Sequence, residues 1–397
     1  MAMQLKNLNK LFCLGLLFMS GHVTEICGQD KAANRWISDE KPVGVRYYSW
    51  ADQSRLDKHY GSRSLREVNV QIWYPIKKSR SINREPASYI PNSEKVLGQI
   101  NSLSEDNARI LANIPTASYL NAVPLFKGSS LPVVVFSPAL GGHTSFYTYL
   151  AARLASAGYV VVGVDHKYDS LFIVDEKGRV VPRDTSFHDR LKLLKIPEEI
   201  TADEYRERRG ERIRVLGEDL IFVLDRLKGV NASIFKNRLD LGRVGLWGHS
   251  TGGAAAIDAA KLDARFAAVV NLDGTPSGWA IREGLRRPFM QVEDLRDLSR
   301  PGNQVQFDMR QEFCAKTTAD CYRILLANAN HNSYLDTNIH QATNDDQRRS
   351  LKRIIDLTSF FMVDFFDRYI RGRAQKIHNE YPKEVTLLAD LGVNSSK

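Results

Sequence analysis

The chain has 397 residues, 43% hydrophobic and 25% charged, which is ordinary for a globular protein and enough for one large domain or two smaller ones. Such a composition excludes the disordered and collagen-like classes. The balance of 55 Lys and Arg against 46 Asp and Glu gives a formal charge of +9; the basic residues are scattered, and the one dense run, 206–214, is interleaved with Glu207 and Glu211, so it reads as a solvated helix face. Nucleic acid is thereby disfavoured as a partner, and peripheral contact with an anionic membrane or lipid surface is permitted without being required.

At the start of the chain, Lys6 and Lys10 precede an apolar run, 11–19, that is too short to span a bilayer and is followed by small and polar residues up to Gly28. The pattern is that of a signal peptide over residues 1–28, and the mature chain, 29–397, is expected to be secreted or periplasmic. Anchoring through a lipidated Cys27 is the weaker reading, because Thr24-Glu25-Ile26 is unlike a lipoprotein box. Removal of Cys13 and Cys27 leaves Cys314 and Cys321, seven positions apart, and in an oxidising compartment these are expected to form a disulfide.

Along the mature chain, Val68, Val70, Ile72 and Tyr74 alternate with polar neighbours. They predict a half-buried antiparallel edge strand. Residues 76–130 are polar with little periodicity and should cross the surface with one helix around 105–114. From Leu131 the rhythm changes: 132–136 is a continuous apolar strand, 146–157 a helix ending at Gly158, and 159–164 a second apolar strand, together a parallel βαβ unit. The charged segment 171–216 breaks this rhythm and reads as an inserted cap. A long helix starts near Thr201-x-x-Glu204, a capping-box pattern, and places Ile213, Leu216, Leu220, Val223, Leu224 and Leu227 on one face. Later strands are expected at 266–272, 288–292 and 322–327, and a final amphipathic helix over 348–369 with Ile354, Leu357, Phe361, Phe365 and Phe366 inward.

Between the long helix and these later strands stands Gly248-His249-Ser250-Thr251-Gly252. This Gly-x-Ser-x-Gly pattern would arise by chance about 0.1 times in a chain of this length. Its setting adds the meaning: the apolar Val244 to Trp247 precede it, and a helix rich in Ala254, Ala255, Ala256, Ala259 and Ala260 follows. That is the strand–turn–helix of a nucleophile elbow with Ser250 at its apex. A serine hydroxyl needs a histidine to take its proton and an acid to orient that histidine. His331 has the best context, in a loop just after the last strand, where catalytic groups of open α/β sheets gather. His340 is second, and His249 is placed to shape the elbow. For the acid, Asp273 follows the strand after the elbow, whereas Glu293, Asp294 and Asp297 follow the next one; position alone leaves all four open. The N–H donors for a developing oxyanion are expected from Thr251 and, in the turn Ser137-Pro138-Ala139-Leu140-Gly141-Gly142, from Leu140.

Taken together, Phe136-Ser137-x-x-Leu140-Gly141, Gly248-His249-Ser250-x-Gly252-Gly253, Leu272-Asp273 and the late His331 resemble the platelet-activating factor acetylhydrolase family of α/β-hydrolases, and more loosely dienelactone-hydrolase-like and cutinase-like esterases. Val70 to Pro75 and Phe222 to Asp225 extend the resemblance over residues 43–372. It implies an α/β-hydrolase fold, a mostly parallel central sheet flanked by helices, and favours Asp273 as the acid and Leu140 as an oxyanion donor. Two features depart from the family pattern: Pro138-Ala139 stands where His-Gly is usual, and the 171–216 segment is this chain's own. The expected protein is an exported serine carboxylic-ester hydrolase acting through Ser250, His331 and Asp273 on a small-molecule ester or lipid, with short-chain or phospholipid-type acyl groups. Acyl transfer, peptide hydrolysis or a catalytically silent binding module are the alternatives on the same fold. No metal-ligand spacing and no Gly-x-Gly-x-x-Gly after a strand is present, so no metal or nucleotide cofactor is implied.

Overall fold

The computed structural model describes residues 42–391 apart from 58–63, 81–84, 127, 129, 187–201, 278, 295–297, 300 and 374–381. The expected signal peptide with Cys27, Thr201 of the capping pattern, and Asp297 lie outside the described residues. The apolar runs become strands: β1 (Val43–Leu56), β2 (Leu65–Pro75), β3 (Ser118–Leu120), β4 (Leu131–Ser137), β5 (Val160–His166), β6 (Phe172–Val174), β7 (Val180–Pro182), β8 (Leu239–His249), β9 (Phe266–Leu272), β10 (Phe289–Asp294), β11 (Cys321–Leu326) and β12 (Val385–Leu391). The α-helices longer than one turn are α1 (Glu105–Asn113), α2 (Thr148–Ser156), α3 (Ala202–Ser233), α4 (Thr251–Leu262), α5 (Trp279–Glu283), α6 (Pro301–Lys316), α7 (Asp336–Gln341) and α8 (Asp345–Tyr369). No described helix is long and apolar enough to cross a membrane.

Ten strands form one sheet in the order β12-β11-β10-β9-β8-β4-β5-β2-β1-β3, while β6 and β7 pair as a separate hairpin. From β5 through β4 and β8 to β11 every neighbouring pair is parallel. Strand β4 lies between β5 and β8, so the chain winds one way from β4 and then the other, and the crevice at the ends of β4 and β8 is where such sheets place their ligands.

Both faces of the sheet are covered, which is why its central strands read as unbroken apolar runs. Val134 and Phe136 of β4 face one way, with Trp247, Leu150, Phe361 and Phe365 of β8, α2 and α8. Val133 and Val135 face the other, with Leu220, Leu224, Leu246 and Ile257 of α3, β8 and α4. Phe136 stacks on Trp247 with ring centroids 4.2 Å apart, and burying each such ring is worth about 2–3 kcal/mol. All six apolar positions expected to line α3 are buried, as are the five expected on α8.

Three expectations are corrected. The strand expected at the sheet edge, β2, is internal: it pairs with β5 on one side and with β1 on the other, and from Val70 to Pro75 every residue is buried. The edge belongs to β3, inside the 76–130 stretch expected to hold one helix alone. The last helix is followed by β12, an antiparallel strand beside β11. In each case partners supplied by distant chain segments override a locally polar pattern.

Within 171–216, the hairpin β6–β7 is fastened to the sheet by Asn69, whose amide brackets the backbone of Val174 through N–H···Oδ1 at 2.6 Å and Nδ2–H···O at 2.7 Å. Cys314 of α6 and Cys321 of β11 are joined by a disulfide.

A charge cluster centred on buried Arg66 and Asp219 stands beside the sheet. Arg66 donates to both oxygens of Asp219 and, at 2.5 Å, to Asp57. Asp219 also accepts from Arg55 at 2.8 Å and from His166 Nδ1 at 2.8 Å. Burial alone would raise its pKa, but Arg66, His166 and Arg55 outweigh burial and hold the carboxyl well below the usual carboxylate range. Removing one member of such a cluster strands the others in low dielectric. Asp219→Ala is therefore expected to destabilise the fold by about 3–5 kcal/mol, read from chemical denaturation; an unchanged midpoint would contradict the role given to this cluster.

Candidate active site

The end of β8 turns into α4 through Ser250, whose backbone sits at φ 56°, ψ −119°, a conformation that costs an L-residue of order 1–3 kcal/mol. It is held in place: Ser250 N–H donates to Leu272 O at 2.9 Å. The flanking glycines are required by contact. A Cβ on Gly248 would strike the Gly252 carbonyl, and one on Gly252 would strike the carbonyls of Ser137 and Pro138 at the end of β4. The sharp turn thus presses the start of α4 against the neighbouring turn of β4 and lifts Ser250 out of the sheet.

His331, in the loop after β11, brings Nε2 to 3.0 Å from Ser250 Oγ. Its Nδ1 hydrogen-bonds Asp273 Oδ2; since a carboxylate only accepts, Nδ1 carries the proton and Nε2 presents a lone pair to the serine. Asp273 follows β9, is fully shielded, and stands beside a His331 side chain that is 43% exposed. Arg310 of α6 fixes Asp273 from behind, with Nη2 3.0 Å from Oδ1 and 2.8 Å from the Asp273 carbonyl. Glu293, a candidate acid by topology, has both oxygens engaged by Arg323 and Arg310. Asp294 lies at the end of β10 and is 8% exposed. His340 hydrogen-bonds Tyr149 Oη at 2.8 Å.

In the turn after β4, the backbone amides are engaged one by one. Ala139 N–H donates to Tyr147 Oη, Gly141 N–H to Asp169 O and Gly142 N–H to Ala139 O, and Pro138 has none. Leu140 N–H makes no hydrogen bond among the described residues. Thr251 opens α4, so its N–H has no partner four residues earlier. Leu140 N–H and Thr251 N–H are thus both without a backbone partner among the described residues.

Two buried networks were not foreseen from the sequence. The first runs from Ala139 N–H to Tyr147 Oη, on to His249 Nδ1 at 2.8 Å, and from His249 Nε2 to His331 O at 2.7 Å. A carbonyl only accepts, so His249 carries a proton on Nε2. Burial, and next the His331 ring beside it, push its pKa down to about 3. The second is Ser137 Oγ at 2.9 Å from His166 Nε2, with His166 Nδ1 on Asp219. It is a second Ser–His–Asp series, buried throughout. A mainly parallel sheet with a serine on such an elbow defines an α/β-hydrolase.

Residues 56–295 match the family model for platelet-activating factor acetylhydrolase, isoform II, and the chain belongs to that family. It is 25% identical over 303 residues to the platelet-activating factor acetylhydrolase of Canis lupus familiaris, covering 65% of this chain and 67% of that one. To a probable 1-alkyl-2-acetylglycerophosphocholine esterase of Arthroderma benhamiae it is 26% identical over 168 residues, 41% of this chain and 37% of the other. Among solved structures, a ferulic acid esterase from Streptomyces cinnamoneus superposes with a TM-score of 0.70 at 28% identity, covering 89% of this chain and 98% of that one. These relatives place the chain among the carboxylic-ester hydrolases.

His249 yields a pH prediction. Its folded pKa lies below its unfolded value near 6.5, so the unfolded chain takes up the proton first, and the stability it contributes is complete above about pH 6.5 and is lost as pH falls toward 3. His249→Gln should flatten the slope of Tm against pH across this window; a slope equal to that of the parent protein would refute the assignment.

Proposed function

We propose that the protein is an exported serine carboxylic-ester hydrolase in which residues 29–397 form one hydrolase domain and 171–216 its cap. One observation carries the reading: Ser250 Oγ lies 3.0 Å from His331 Nε2 while His331 Nδ1 rests on buried Asp273. In the proposed reaction Ser250 Oγ attacks the ester carbonyl and His331 Nε2 takes its proton. Asp273 stabilises the imidazolium, and the amides of Leu140 and Thr251 bind the oxyanion. His331 then gives the proton to the leaving alkoxide, which departs as the alcohol and leaves an acyl-serine. Water, activated by the same nitrogen, releases the acid. Short-chain or phospholipid-type acyl esters fit the names of the acetylhydrolase relatives, and hydroxycinnamoyl esters are a second class, favoured by the near-complete overlap with the ferulic acid esterase.

The test is hydrolysis of p-nitrophenyl esters of rising chain length, methyl ferulate and 1-alkyl-2-acetylglycerophosphocholine, beside labelling with a fluorophosphonate. Ser250→Ala should abolish labelling and turnover; labelling that persists in it would refute the mechanism. Asp273→Asn should lower kcat by about 10³–10⁴-fold while Asp294→Asn stays close to the parent rate, and the reverse order would move the acid to β10.

A further inference from the structure

The turn that offers Leu140 N–H is overlain by a cation from the inserted segment. Gly141, at φ 74°, has no side chain, and the space a Cβ would occupy is taken by Arg183: the guanidinium Nη1 lies 2.6 Å from that point and Cζ 3.1 Å. Arg183 follows β7 and is held by backbone bonds that tie the hairpin to the turn. Its N–H donates to Leu171 O at 3.0 Å, Leu171 N–H donates to Gly142 O at 2.8 Å, and Asp184 N–H donates to Tyr168 O at 3.0 Å. These bonds fix the Arg183 backbone beside the turn, and its guanidinium lies against Gly141, the residue after the proposed oxyanion donor.

Its charge has no counter-ion among the described residues. Among the described residues no carboxylate lies within ion-pair distance of Arg183, and its Nε is shut off from solvent with no hydrogen-bond partner. The nearby carboxylates are engaged elsewhere: Asp169 is held by Arg212, with Arg66 3.6 Å away, and Asp184 accepts from Ser186 N–H at 2.8 Å. An arginine held at a reactive turn, with neither a salt bridge nor a bond to Nε, is a fork lacking its anion, and a planar fork matches carboxylate or phosphate oxygens two at a time.

We propose that Arg183 is a specificity-determining residue that pairs with an anionic oxygen group, carboxylate or phosphate, carried by the ester substrate a few atoms from the scissile carbonyl. The proposal rests on the ester-hydrolase reading above and narrows its substrate class. The anion sits on the acyl side, as in the monoester of a dicarboxylic acid, or on the alcohol side, as in an ester of a phosphorylated or carboxylated alcohol.

The experiment uses the purified full chain and matched pairs of substrates. For the acyl side these are p-nitrophenyl hemiglutarate against p-nitrophenyl butyrate. For the alcohol side they are 4-acetoxybenzoate and 4-acetoxyphenyl phosphate, each against phenyl acetate. The parent protein should prefer the charged member of at least one pair. Arg183→Gln should cut kcat/KM for that substrate by about 10–100-fold, as expected for a lost charge-assisted contact, mainly through KM, with the neutral partner nearly unchanged. Arg183→Lys should restore part of the preference, since it keeps the charge without the fork, and added salt should shrink it. Equal losses on charged and neutral esters, or no preference in any pair, would overturn the proposal and leave the ester-hydrolase reading standing. A protein inert toward every ester would overturn both.

Discussion

The hydrogen bond from His249 Nε2 to the carbonyl of His331 ties the elbow to a loop 82 residues later in the chain. It joins the loop's own bonds, Asn330 N–H to Ser333 Oγ and Asn332 N–H to Asn330 Oδ1, and the His331–Asp273 pair in limiting the conformations open to the loop. The bond requires that His249 keep its proton on Nε2. Tyr147 enforces that tautomer by giving its hydroxyl proton to Nδ1 and taking in return the N–H of Ala139. One directional chain of donors therefore spans the turn after β4, the elbow and the histidine loop. Tyr147 and His249 in the middle each donate one bond and accept one, so the chain is satisfied from the Ala139 N–H to the His331 carbonyl, the condition under which a buried polar chain rigidifies a site.

Charge behind the proposed triad is arranged with similar economy. Asp273, Glu293, Arg310 and Arg323 alternate in sign and are all buried, and Arg310 touches both carboxylates. The cluster is formally neutral, so Asp273 can keep its charge in low dielectric while one of its oxygens remains for His331 Nδ1. A proton arriving on His331 makes the group cationic only at its outer end, where the ring is exposed to solvent. Glu293 has the same chemistry and a similar station at a strand end, but with two arginines on its oxygens it is a counter-ion for Arg323 and Arg310.

That contrast explains what could be read from the chain. The elbow is legible because its requirements are local: two glycines two residues from Ser250, an apolar strand before, alanines after. The buried faces of α3 and α8 are legible because helical periodicity survives any tertiary context. Choosing among Asp273, Glu293 and Asp294 was beyond the residues themselves, since the difference lies in which arginines reach them from α6 and β11, 17 to 37 residues away. Strand β1 is set by its antiparallel pairing with β2, a long-range partner that Arg46, Tyr47, Tyr48 and Ser49 do not themselves reveal.

Two Ser–His–Asp series stand within a few residues of each other along β4 and β8, and they separate chemistry from access. In Ser137–His166–Asp219 the aspartate is saturated by Arg66 and Arg55 and every atom is sealed from solvent. That series pins the end of β4 from below. In Ser250–His331–Asp273 the serine sits on a strained apex and the histidine reaches solvent. The two are mechanically joined, because Gly252 of the elbow lies against the carbonyl of Ser137. Holding Ser137 down from the buried side braces the turn that follows it, where the amides of Ala139, Gly141 and Gly142 are engaged and Leu140 N–H, the proposed oxyanion donor, is not. A series open to solvent above and a sealed one below thus share one strand end, and the same residue types differ in role because only the proposed triad has a histidine that reaches water.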